Sequence, residues 1–125
     1  GALFGGAVAT AGDVNGDGFS DVIVGATGYD NGQTNEGGAF VYLGSATSLS
    51  TTAAWTGESD QGGAEFGYSV ASAGDVNGDG FSDVIVGAWR YGLGEDGQAY
   101  VYHGSAAGLS TAAAWITSWK VFVST

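Results

Sequence analysis

Residues 11–26 recur without a mismatch as residues 73–88, 62 positions further on. Within each copy lies the nonapeptide D-V-N-G-D-G-F-S-D, running from Asp13 to Asp21 and from Asp75 to Asp83. A period near 60 residues means one structural unit set against another of its own kind. The correspondence reaches beyond the identical block. Phe4-Gly5 matches Phe66-Gly67, Val41-Tyr42 matches Val101-Tyr102, and Ala53-Ala54-Trp55 matches Ala113-Ala114-Trp115. The second half of the period is 60 rather than 62 residues, because the loop before Val101 is shorter.

Each unit reads as four short strands. They are expected over 7–11, 21–26, 39–43 and 52–56, and again over 69–73, 83–88, 99–103 and 112–116. The runs are β-branched or aromatic and bounded by Gly, Asn, Asp and Ser. Val22-Ile23-Val24 is apolar on both faces, as suits a strand covered on both sides. No segment carries a helical period, although the alanines of the fourth strand would also permit a helix. Glycine is abundant at 25 residues, but 44% hydrophobic residues argue for a turn-rich β protein rather than a disordered one. Four antiparallel strands per unit, repeated, predict an all-β chain of two β-propeller blades. The blades are expected over 1–57 and 58–116, with a non-repeat strand or tail over 117–125. Two blades leave two apolar faces open, which predicts completion of a ring by oligomerisation.

The repeated loops are the candidate metal sites. Side-chain oxygens stand at alternate positions in Asp13, Asn15 and Asp17, followed by the Phe19 carbonyl and Asp21. The second set is Asp75, Asn77, Asp79, the Phe81 carbonyl and Asp83. Gly18 and Gly80 allow the sharp turn that aims these oxygens inward. An all-oxygen set with three carboxylates suits calcium, one ion per loop and two per chain. The plain alternative is an Asx-rich hairpin without metal, and finding the loop twice in one context weighs against it. A helix–loop–helix calcium hand requires a Glu at position twelve. Val24 and Val86 stand there, inside apolar strands.

Phe-Gly, then D-x-N-x-D-G-x-x-D, then V-I-V-G-A resembles the FG-GAP repeat of integrin α-subunit β-propellers. Thr27 and Trp89 replace the proline that ends the family motif. The resemblance implies a calcium ion in the first hairpin of each blade, a non-enzymatic adhesion or ligand-binding role, and an extracellular or cell-surface setting. A carbohydrate-binding propeller is the alternative, as is an engineered or excised fragment that self-assembles. Three copies would supply six blades and four would supply eight, whereas propellers of the family it resembles usually have seven, which no whole number of two-blade chains gives. A homo-trimer or homo-tetramer, with a protein or glycan ligand, is the expected partner set.

Charge and composition narrow the classes further. The formal charge is −11, and Arg90 and Lys120 are the only fixed cations. Nucleic-acid binding through phosphate neutralisation is excluded on that balance. No apolar run approaches the ~20 residues needed for a membrane-spanning helix, and no signal peptide is visible in these residues. The chain has no cysteine and one histidine, His103, so a His- or Cys-based catalytic triad has no material. His103 takes the place of Leu43 and is expected to pack. The polar loops holding Asp30, Asn31, Gln33, Asn35 and Glu36, and Glu95 with Asp96, read as solvated turns. Trp55, Trp89, Trp115, Tyr29, Tyr68 and Tyr91 read as fillers between blades, with a sugar-stacking surface as the alternative.

Overall fold

The computed structural model describes residues 4–27, 37–58, 65–88 and 97–118. Eight strands form two four-stranded antiparallel sheets, each a meander in sequence order. The first blade holds β1 (Phe4–Gly12), β2 (Asp21–Ala26), β3 (Gly38–Tyr42) and β4 (Trp55–Gly57). The second holds β5 (Phe66–Gly74), β6 (Asp83–Ala88), β7 (Gln98–Tyr102) and β8 (Trp115–Ser118). No helix occurs among the described residues.

The inner strands β2 and β6 keep the bounds expected from sequence, because an acid and a Gly-Ala pair bracket each apolar run. The outer strands differ. β1 and β5 begin three residues earlier than expected, at Phe4 and Phe66. Across a register shift Phe4 pairs with Ala26 and Ala7 with Gly25, and in the second blade Phe66 pairs with Ala88 and Ser69 with Gly87. Gly5 and Gly67 take φ values of 86° and 91° there, a conformation glycine adopts without a Cβ penalty. β3 and β7 end one residue earlier than expected, at Tyr42 and Tyr102, leaving Leu43 and His103 outside the ladder. β4 and β8 begin later, at Trp55 and Trp115. The Ser50 and Ser110 hydroxyls bond the carbonyls of Thr52 and Ala112 at 3.0 and 2.8 Å, holding the preceding alanines in a turn. The expected tail strand after residue 118 lies outside the described residues.

The core sits between the two sheets. Ala11, Val14, Ile23, Val41 and Trp55 of the first blade meet Phe66, Val84, Val86, Tyr100, Tyr102 and Leu109 of the second. Trp55 packs edge-on to Tyr102 with ring centroids 4.8 Å apart, and its indole nitrogen donates to the Ser110 carbonyl at 2.9 Å. Both contacts cross from blade to blade. The Phe66-Gly67 turn brings backbones together: a Cβ at Gly67 would strike the Gly38 carbonyl, and one at Gly25 would strike the Gly67 carbonyl. Phe66 and Gly67 at the head of the second repeat thus do different work, one filling the seam and the other letting it close.

Candidate metal centre

The two repeated loops join β1 to β2 and β5 to β6. Each folds around its first aspartate. In the first loop Asp13 Oδ1 accepts from the amides of Gly16 and Asp17 at 2.8 and 3.1 Å, and Oδ2 from Gly18 at 2.8 Å. In the second, Asp75 accepts from Asp79 at 3.1 Å and Gly80 at 2.7 Å. Asp17 and Asp79 each accept the amide two residues on, from Phe19 and Phe81, at 3.0 Å. These are Asx-type bonds, which build the turn from the chain's own donors.

Asp21 and Asp83 close the loops from beneath. Both are buried. Asp21 Oδ2 accepts from Val14 and Oδ1 from Gly44, both at 2.9 Å. Asp83 repeats the pair with Val76 and Gly104, again at 2.9 Å. One carboxylate thereby fastens the start of its loop to the chain leaving the third strand. The sequence reading aimed every loop oxygen at an ion. The folded loops instead spend much of that acceptor capacity on backbone amides, because each amide inside so tight a turn needs a partner. Among the described residues no group of three or more acidic or histidine side chains converges into a ready cation site.

Three observations bear on whether a cation fits. The Asn15 Oδ1 atom is buried and has no hydrogen-bond partner, and it stands at the third position of the loop. A buried, unpaired amide oxygen is costly unless something accepts its lone pairs. The Asp21 carboxyl is pushed above the usual carboxylate range, first by burial and also by the nearby Asp17 and Asp13 charges, against the two amide bonds that lower it. Asp21 therefore feels the negative charge of Asp13 and Asp17 in the same loop, a repulsion that a divalent cation would relieve. Each carboxylate oxygen holding one amide retains a further lone pair for a hard cation.

Asp13 lies below the ordinary range. Burial is the largest single influence and raises it, while the amides of Gly18, Gly16 and Asp17 together outweigh that effect. Asp75 is also lowered, chiefly by the Gly80 amide.

His103 has a closer relation to the second loop than its place in the sequence suggested. Its Nδ1 lies 3.4 Å from Asp83 Oδ2 and has no hydrogen-bond partner. Leu43 holds that position in the first blade, so comparing the two repeats at 43 and 103 was the signal for it. Trp55 is buried in the seam, which gives it the packing role rather than a place on a sugar-stacking surface. Trp89, Tyr29 and Tyr91, the acids at 30, 36, 95 and 96, and Arg90 and Lys120 lie outside the described residues.

The model of the FG-GAP repeat family matches residues 4–42 and 66–102. The chain is 43% identical over 111 residues to integrin alpha-3 of Cricetulus griseus, a match covering 87% of this chain and 10% of that protein. It is 38% identical over 111 residues to integrin alpha-4 of Xenopus laevis, covering 88% and 10%. With integrin alpha-7 of Homo sapiens it shares 40% over 112 residues, covering 85% and 9%. The chain thus spans about a tenth of the length of these relatives.

Proposed function

We propose, from the premise that this chain belongs to the FG-GAP repeat family, that it is a non-enzymatic β-propeller module held in shape by divalent cations. Its first blade is residues 1–57, and its second starts at 58 and runs past the expected end at 116, because β8 continues to Ser118. Calcium is the cation, one in each repeated loop. Asp13, Asn15, Asp17, the Phe19 carbonyl and Asp21 would hold the first ion. Asp75, Asn77, Asp79, the Phe81 carbonyl and Asp83 would hold the second. The ion supplies neutralisation of the clustered carboxylates and a fixed geometry for the hairpin, and no chemistry on a substrate. The chain's own part is to present oxygens from a turn that Asp21 and Asp83 already fasten to the sheet.

The buried, unpaired Asn15 oxygen carries this reading. Binding to the folded state alone would stabilise it by mass action, by about 2.7 kcal/mol at a hundredfold excess over Kd. Thermal unfolding with calcium and with a chelator tests it. A higher melting temperature in calcium is expected, and identical curves would remove the cation from the account.

The integrin relatives favour a cell-surface or extracellular adhesion module that binds a protein or glycan ligand. Further copies of the chain supply the blades that complete the ring. Immobilised chain tested for calcium-dependent capture of candidate ligands addresses the adhesive role.

A further inference from the structure

The two repeated loops belong to different blades, yet the first rests on residues of the second. Ser82 stands between Phe81, whose carbonyl belongs to the second loop's oxygen set, and Asp83, which closes that set. The Ser82 amide donates across the seam to the Asp13 carbonyl at 3.0 Å. Its hydroxyl lies against Gly12, the residue before Asp13, where a Cβ would strike it. The Phe81 ring lies against Gly16, whose amide donates to Asp13 Oδ1 at 2.8 Å.

A second connection runs through the chain leaving β7. The Gly104 amide donates to Asp83 Oδ1 at 2.9 Å. The next amide, that of Ser105, donates to the Val14 carbonyl at 3.0 Å. Val14 lies between Asp13 and Asn15, two oxygen donors of the first loop. A Cβ at Gly104 would strike the carbonyls of both Ser82 and Val14, so the two loops' backbones meet there with no room for a side chain. Asp83 thus reaches the first loop by two short routes, through Ser82 to Asp13 and through Gly104 and Ser105 to Val14.

We propose that Phe81 and Ser82 are positioning residues for the first loop, so that a cation held by the second loop raises the cation affinity of the first. This rests on the reading of both loops as calcium sites, and adds that the two sites are coupled. With no ion, the three acids of the second loop oppose its ordering. An ion there fixes the segment from the Phe81 carbonyl to Asp83, and with it the Ser82 amide and the Phe81 ring. The first loop then assembles against a support already in place, which lowers the ordering cost its own ion must meet. Linkage makes the effect reciprocal: occupancy of the first loop favours the second by the same factor. The connection is made of packed backbone and short hydrogen bonds, the kind of contiguous network that carries such coupling.

The test is calcium titration by calorimetry on the whole chain, two single-loop variants and one seam variant. Asp17→Asn and Asp79→Asn each remove a charge from one loop and keep the side-chain oxygen that accepts the amide of Phe19 or Phe81. The unaltered chain should bind its ions with positive cooperativity. In Asp79→Asn the first loop should bind about 5-fold more weakly or worse, the low end of ordinary coupling between sites, and Asp17→Asn should weaken the second loop by a similar factor. Phe81→Ala takes the ring from Gly16 and leaves the residue 81 carbonyl in the second loop. It should still bind at both loops, with less cooperativity. Cooperativity that came only from folding on binding would grow in a less stable chain, so a rise or no change in Phe81→Ala overturns this contact as the cause. The Asp79→Asn comparison decides the coupling whether or not Phe81→Ala folds. Independent binding at two loops, with the first indifferent to Asp79→Asn, overturns the coupling and leaves the calcium sites standing. No binding by the unaltered chain overturns the sites and the coupling together.

Discussion

Asp21 accepts the amides of Val14 and Gly44 with separate oxygens, so its side chain organises the first loop before any cation arrives. Asn15 has the opposite character, since its buried oxygen has no partner within the chain. The two substitutions should therefore separate. Asp21→Asn turns an amide group toward one of two N–H donors and should cost about 1–3 kcal/mol even in chelator. Asn15→Ala removes a buried oxygen that has no partner, so it should leave chelated stability unchanged or raise it by up to about 1–3 kcal/mol while weakening the gain from calcium. Denaturant titration in chelator and in calcium reads both. The acid dependence divides in the same way. Asp13 and Asp75 are lowered, so their contribution is present above the ordinary aspartate value and is lost as pH falls through the folded one. Asp21 is raised, so its contribution has the reverse sign and is lost as pH rises through its folded value. In chelator, Asp75→Asn should therefore flatten the loss of stability below about pH 4, as followed by unfolding across a pH series. The candidate ligands were legible from spacing alone. The inward amide bonds were not, since the same acid pattern serves a metal or a turn, and only the folded backbone shows where its donors point.

At the scale of the strand, β2 and β6 were legible to the residue because composition changes sharply at both ends. The early start of β1 and β5 was not. A reading by alternation stops at Gly5-Gly6 and Gly67-Tyr68, where the ladder is interrupted and then resumes. The positive φ of Gly5 and Gly67 makes that interruption possible, and only at Gly67 is a Cβ excluded by another backbone. This predicts different costs for one substitution. Gly5→Ala, in dilute protein, should lose only the strain of a left-handed alanine, about 1–3 kcal/mol. Gly67→Ala adds a collision with the Gly38 carbonyl and should cost more, or separate the sheets. Thermal unfolding of both variants at the same low concentration decides it, and equal costs would mean that the Phe-Gly turn contributes nothing to the close approach of the blades.

Across the whole molecule, sequence identity and structural role come apart. The repeat announced two equal units, and local structure keeps that equality down to matching 2.9 Å bonds at Asp21 and Asp83. Burial does not, because a stack of two has an inside and two outsides. No reading of residues could assign Trp55 to the seam and Trp115 to an open face, since both stand in the same A-A-W context. Most of the apolar core lies between the sheets rather than within either one. Neither blade has enough of its own to unfold separately, so the pair should melt in a single cooperative transition. Trp55 carries a large share of that coupling through Tyr102 and Ser110. Trp55→Ala should cost about 3–5 kcal/mol, the usual loss for a buried large aromatic. Trp115→Ala should cost under about 1 kcal/mol in the dilute chain, as a half-exposed side chain with little to leave behind. Calorimetry of the two variants at low concentration measures the difference. If they were equally damaging, the seam would not be where this fold keeps its stability.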